Sequence, residues 1–379
     1  MSVGPVYLRD KHRSVEATAQ WYEQVSFQTT PAFDLGKALG KGMFSKVARV
    51  SFQGREWAVK KTASELGTKL IKREAAILNF LNQQEKIANQ EYFVQVIALV
   101  TFESNPMLVM KLYKGGDLLA RVTQTVGGLP LENVLKITEQ LLKALSFLKD
   151  QGVIHRDIKL ANIFIDCDET VKLGDFGFAM EIEDKKAYSI LCGTPQSQSP
   201  ELVAAYRGET LIKEHYPFGS PSDVWATGCA MFQAFSRVAL FSGMSSNWMP
   251  ELQDQQKTLR VRLTGLLGEI CREKADQKPG DLSLFNAALT RMLELDPEKR
   301  LTPEEGITVL FEEESFVWIG EADLPNQLGS SEESEPFELI QEEEAPFNFP
   351  PAQKANNKPK KELVNLVGFI TAGISKLLD

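Results

Sequence analysis

The first residues in this chain whose types and spacing bear on chemistry are a lysine in an apolar strand, a glycine pair before it and a glutamate after it. Lys60 closes the run Ala58-Val59-Lys60. An inward lysine in such a strand is costly unless a counter-ion or an anionic ligand meets it. Glu74, on the segment that follows, is placed to be that counter-ion, and the pair would hold phosphate groups in register. Upstream, the run Leu39-Gly40-Lys41-Gly42-Met43-Phe44-Ser45-Lys46-Val47 sets two glycines at a turn. Glycines let backbone N–H groups approach phosphate oxygens with no side chain between, although a plain hairpin turn would use the same glycines. A third group, His155-Arg156-Asp157-Ile158-Lys159-Leu160-Ala161-Asn162, is followed by Asp175-Phe176-Gly177.

The elements that must position these residues change in character along the chain. From Phe33 the pattern is strand-like: LGKGMFSKVARV around the glycine turn, then EWAVKK. Leu66, Leu70, Ile77, Leu78 and Leu81 recur at helical spacing over 65–81. Two apolar runs follow, YFVQVIALVTF and PMLVMKLY, and from Gly115 helices dominate. The clearest spans 131–149, where Leu131, Val134, Leu135, Ile137, Leu141, Leu142, Leu145 and Leu148 form one stripe. A later helix over 284–295 is expected to end at Asp296-Pro297. A small strand-rich part therefore precedes a larger helical part.

Composition bounds the function classes. With 379 residues, 43% hydrophobic and 25% charged, the chain has globular composition and length for two or three units at one domain per ~150 residues. No run approaches the ~18 apolar residues of a membrane span, and charges interrupt residues 1–34 where a signal peptide needs an apolar core. An intracellular, cytoplasmic location is expected. Cys167, Cys192, Cys229 and Cys271 lie far apart without zinc spacing, which suits a reducing compartment. The net charge of −9 is uneven: from Leu301 to Gln353 acidic residues occur without one Lys or Arg. Nothing forms the basic stripe of a nucleic-acid binder.

The order of glycine-rich loop, Lys60, Glu74, H-R-D-x-K-x-x-N and D-F-G resembles the protein kinases. Gly193-Thr194-Pro195 and Ser199-Pro200-Glu201 resemble the end of a kinase activation segment. Asp223-Val224-Trp225 resembles the start of the long helix of the large lobe, and Arg300 stands where the family's arginine pairs with a glutamate, here Glu201. The resemblance covers roughly residues 35–312 and implies an α+β fold with two lobes: a small β-rich N-lobe with one key helix over about 35–111, and a larger, mainly helical C-lobe over about 112–316. It also implies ATP and magnesium as cofactors, a protein substrate and serine/threonine phosphorylation.

Residue by residue, the resemblance implies that Gly40, Lys41, Gly42, Met43, Phe44 and Ser45 cover the ATP phosphates through their backbone. Lys60 would contact the α- and β-phosphates, held by Glu74. Asn162 and Asp175 would hold the metal ions, Asp157 would take the substrate proton, and Lys159 would steady the γ-phosphate. Leu39, Val47, Ala58 and Phe164 would line the adenine slot with Met110 at its back. Main-chain groups of Lys111 and Tyr113 would meet the base edge, and Asp117 the ribose. Arg156 implies a phosphate on the activation segment from an upstream kinase, with Ser189 and Tyr188 as acceptors. The competing class is a pseudokinase scaffold, which lacks the lysine or one of the aspartates; Lys60, Asp157 and Asp175 are all present.

The chain departs from the family pattern at Ser45 (the third loop glycine), at Leu160 and Ala161 (a Pro and a Glu), at Ser197 and Gln198 (an aromatic and an apolar residue), at Ile190 (the usual phosphate acceptor) and in a long 202–222 stretch. Residues 1–34 form an extension without assigned role, and 317–361 read as a flexible linker, acidic and then basic. In 362–379, Leu363, Leu366, Val367, Ile370, Ile374, Leu377 and Leu378 share one helical face. That helix would dock on the body, on a partner or on a membrane surface.

Overall fold

The computed structural model describes residues 34–42, 44–52, 55–88, 90–102, 105–182, 192–206, 220–242, 248–259, 261–263, 265–266 and 279–311. The N-terminal extension, the acidic linker, the C-terminal amphipathic segment, Met43, Tyr188, Ser189 and residues 207–219 of the long stretch lie outside the described residues.

Five strands form one antiparallel sheet in the order β1-β2-β3-β5-β4: β1 Asp34–Lys41, β2 Lys46–Phe52, β3 Arg55–Lys61, β4 Val96–Phe102 and β5 Asn105–Lys111. Alternation along β3 sends Val59 to one face, where it packs with Val50, Ala98, Met107 and Val109. Ala58 and Lys60 take the other face, which α1 (Glu65–Ala88) covers with Ile71 and Ala75 against Leu108 and Met110. Lys60 is thereby turned towards a helix rather than water. The helix runs further than its first apolar stripe indicates, because Glu85 in its last turn is buried and accepts from Asn82 Nδ2 and from the N–H groups of Tyr92 and Phe93. Those bonds bring the chain back towards β4, so the YFVQVIALVTF run is strand only from Val96, with Phe93 making one bridge to Leu173.

The helical part comprises α2 (Leu118–Gln124), α3 (Leu131–Asp150), α4 (Pro200–Tyr206), α5 (Ser220–Ser236), α6 (Trp248–Lys257), α7 (Pro279–Met292) and α8 (Pro303–Phe311). The α3 stripe is buried as its spacing predicts, with Leu135 half-buried at its edge. Two short ladders carry functional loops: β6 (Val153–Ile154) with β9 (Met180–Glu181), and β7 (Ile163–Ile165) with β8 (Val171–Leu173). At α5 the core closes on nearly every side, with Trp225 stacked on Phe241 at 5.9 Å.

Helix α7 begins before and ends sooner than the expected 284–295. Its end is closed by the returning chain: Leu301 N–H donates to Arg291 O at 3.3 Å, the carbonyl that a helical Leu295 N–H would need. Just beyond the helix, Arg300 Nε donates to Glu294 O at 2.8 Å and Nη2 to Leu295 O at 3.4 Å. The same guanidinium holds Glu201 through two bonds of 2.7 and 2.9 Å and lies 5.0 Å from the Trp225 ring. Ser222 Oγ adds a bond to Glu201 Oε1. Both ion-pair partners are buried, so removing one leaves the other uncompensated. Arg300→Leu is expected to destabilise the protein by about 3–5 kcal/mol, read by urea denaturation. Arg300→Leu combined with Glu201→Leu should recover part of the loss. A loss below about 1 kcal/mol in the single variant would make the pair a surface-like one.

Candidate functional site

The sheet, α1 and the turn after β8 converge on one ammonium. Lys60 Nζ lies 2.7 Å from Glu74 Oε2 and 2.7 Å from Asp175 Oδ1. Burial alone would strip the proton from Lys60, but Asp175 and Glu74 outweigh it and raise its pKa. Burial also opposes ionisation of Asp175, yet the Lys60 charge prevails and holds that carboxyl down at about 2. Glu74, the most enclosed of the three, is pushed by burial up to about 7 against the pull of Lys60. Asp175 sits in the left-handed region (φ 61°). A non-glycine residue there is strained, and Phe176, fully buried against Phe93 and His155, holds the turn in that shape.

A second cluster forms around Asp157. Thr194 Oγ1 donates to Asp157 Oδ1 at 2.8 Å, Lys159 Nζ meets Oδ2 at 2.9 Å, and Lys159 also donates to Thr194 Oγ1 at 3.0 Å. Asn162 Nδ2 donates to the Asp157 carbonyl at 2.7 Å and to Oδ2 at 3.1 Å. His155 joins the two clusters. Its Nδ1 lies 3.2 Å from the Asp157 N–H, so Nε2 carries the ring proton and donates to Gly174 O at 3.0 Å. From α5, the buried Asp223 accepts the N–H groups of His155 (2.7 Å) and Arg156 (2.9 Å), the latter at φ 68°. Burial raises the Asp223 pKa.

Between the parts, Ala58, Val47 and Phe164 are half-buried, Met110 is buried and Leu39 is exposed. A Cβ at Gly40 would meet nothing within 4 Å, and one at Gly42 only ordinary contacts beyond 3.5 Å. Packing therefore does not require either glycine. Gly42 N donates to Ser45 O at 2.8 Å, and Phe44 packs edge-on to Phe178 at 6.3 Å. Lys41 ends β1 opposite Lys46. The Lys111 N–H is spent on Gln95 O and the Tyr113 carbonyl accepts Gly116 N–H, because the chain turns there. The Tyr113 N–H keeps no partner among the described residues. Asp117 caps α2 through Oδ1, bonded to Ala120 N at 2.8 Å.

The oxygens left over suit a hard cation. Asn162 commits its nitrogen and Asp175 its Oδ1, leaving Asn162 Oδ1 and Asp175 Oδ2 without hydrogen bonds among the described residues. A carboxylate and an amide oxygen are the donor types that magnesium takes. Sequence reasoning missed the structural parts played by Thr194, His155 and Asp223. Their signal was faint, because Thr194 bonds across 37 residues and Asp223 reads main chain rather than a side chain.

Residues 33–311 match the protein kinase domain family. Among curated proteins, the chain is 29% identical over 287 residues to the human phosphorylase b kinase gamma catalytic chain, liver/testis isoform, covering 73% of this chain and 65% of that one. It is 28% identical to protein kinase C zeta type of Oryctolagus cuniculus (73% and 44% covered). To serine/threonine-protein kinase ATG1c of Arabidopsis thaliana it is also 28% identical (72% and 34% covered). The chain thus spans less than two thirds of the length of these relatives.

The junction at Lys60 carries a pH signature. Without the ammonium, both carboxyls gain pKa, and their ionisation then opposes folding once pH exceeds their unfolded values near 4. Lys60→Met should lose about 3 kcal/mol at pH 8 and clearly less at pH 5, where the carboxyls take up protons. Urea denaturation at the two pH values checks this, and an equal loss at both would mean that the lysine is not what keeps the carboxylates charged.

Proposed function

The chain belongs to the protein kinase family, and from that premise we propose that it transfers the γ-phosphoryl group of ATP to serine and threonine hydroxyls of proteins. The observation that carries this reading is the Asp157 carboxylate, held by Thr194, Lys159 and Asn162 and joined through His155 to the segment bearing Asp175. An acceptor hydroxyl beside Asp157 loses its proton to that carboxylate as its oxygen bonds to the γ-phosphorus. The bond from that phosphorus to the bridging oxygen breaks, and ADP leaves. Lys159 balances charge on the transferring group, and Lys60 holds the α- and β-phosphates. The backbone from Gly40 to Ser45 lies over them, which accounts for glycines that the packing does not need. Bound magnesium, held by Asp175 and Asn162, supplies charge neutralisation of the phosphates. Adenine fits between Leu39, Val47, Ala58 and Phe164, in front of Met110, with the Tyr113 N–H at its edge and Asp117 near the ribose.

Radiolabelled γ-phosphate transfer from Mg-ATP to a mixed protein substrate tests the reading. Label on serine or threonine is expected, falling about 100-fold or more in Asp157→Asn and vanishing in Asp175→Ala. ATP binding with no transfer by the wild-type chain would favour the scaffold class instead.

Glu74 adds a pH dependence. With its pKa raised to about 7, acidification through that value protonates it and weakens its hold on Lys60, so transfer should decline there. In Glu74→Gln that decline should be absent and the rate low throughout. A decline of the same shape in Glu74→Gln would assign the titration to another group.

A further inference from the structure

Gln198 is an anomaly of chemistry as well as of pattern. It is buried (4% exposed), yet its Oε1 has no hydrogen-bond partner among the described residues. A buried carbonyl left unpaired is destabilising, and an apolar side chain of the same length would avoid that. Its Nε2 is fully engaged: it donates to Cys192 O at 2.7 Å and to Thr194 O at 3.4 Å. The Gln198 carbonyl in turn accepts from Gln256 Nε2 of α6 at 2.9 Å, and Gln256 is itself buried.

These bonds clasp the turn that delivers Thr194 to Asp157. Gly193 within it has φ +89°, and a Cβ there would come within 2.4 Å of Arg156 O. The same point lies 3.2 Å from Gln198 Nε2 and 3.3 Å from Asp157 Oδ1. Gln198 Nε2 and the Asp157 carboxylate therefore both border the turn at Gly193. We infer that Gln198 is a positioning residue, secured by Gln256, that holds the Cys192–Thr194 turn so that Thr194 orients Asp157 towards the acceptor hydroxyl. The inference rests on the phosphoryl-transfer reading above. It assigns to α6 a part in aligning the acceptor side and leaves the Lys60 side untouched.

Gln198→Met in the full chain separates positioning from simple support. Methionine keeps the length but removes both the Nε2 donor and the orphaned oxygen. It also leaves the Cys192 carbonyl without its donor, which offsets the relief of the orphaned oxygen. The thermal midpoint should therefore stay nearly level, while kcat for protein phosphorylation falls about 10- to 100-fold through misplacement of the acceptor side. KM for ATP should not change. Gln256→Met, a second variant in case the first folds poorly, should show the same pattern more weakly. Hydrogen exchange should quicken at the amides of Ser197 and Gln198, which bond the carbonyls of Thr194 and Pro195. A wild-type kcat in Gln198→Met would overturn the inference, as would a drop in kcat matched by a falling midpoint or a rising KM for ATP. If the wild-type chain transfers no phosphate, the function reading fails. Exchange then decides this one alone: faster exchange in Gln198→Met supports the clasp and unchanged exchange removes it.

Discussion

A positive charge kept away from water must be surrounded by partners, and in this protein those partners come from separate pieces of chain. Lys60 belongs to the sheet, Glu74 to α1 and Asp175 to the turn after β8. Removing any one leaves the others in a medium that penalises unpaired charge. The three elements are therefore bound to a common register. The sheet cannot slip by one residue, because the lysine would then face the Val59 side. Nor can the Asp175 turn relax from its left-handed shape without releasing Phe176 from Phe93 and His155.

The Asp157 side follows the same logic with neutral groups added. A hydroxyl, an amide and an ammonium fill the carboxylate's surroundings, and each is itself held by a second contact. His155 makes the two sides one unit. Its ring touches Phe176 on the Asp175 side, and its nitrogens bond Gly174 O on that side and the Asp157 N–H on the other. A shift of either cluster is thus transmitted through an imidazole whose tautomer is set by its neighbours.

Much of this was legible in the sequence, for particular reasons. Lys60 announced itself as a charge in an apolar strand, and Glu74 lay at the spacing that lets a helix answer it. The α3 stripe was readable because local periodicity is a property of the chain itself. Boundaries were less legible where a distant group competes for backbone atoms. Leu301 takes the Arg291 carbonyl that would have extended α7, and Glu85 takes the amides before β4. At Lys111 and Tyr113, backbone pairing consumes one donor and one acceptor that spacing cannot reveal. Thr194 belongs to the same class: its bond to Asp157 spans 37 residues, out of reach of any local pattern.

Asp223 has a consequence of a different order. Its carboxylate recognises two main-chain N–H groups, those of His155 and Arg156, and main chain is common to every amino acid. This anchor is therefore blind to side-chain identity at the positions it holds. Over evolutionary drift the residue at 156 is free to change its side chain while the loop stays hung in place, provided that the new residue tolerates φ near 68°. Position 223 has no such latitude. Within one pair of hydrogen bonds, the chain separates a position whose side chain its anchor does not read from one that must remain as it is.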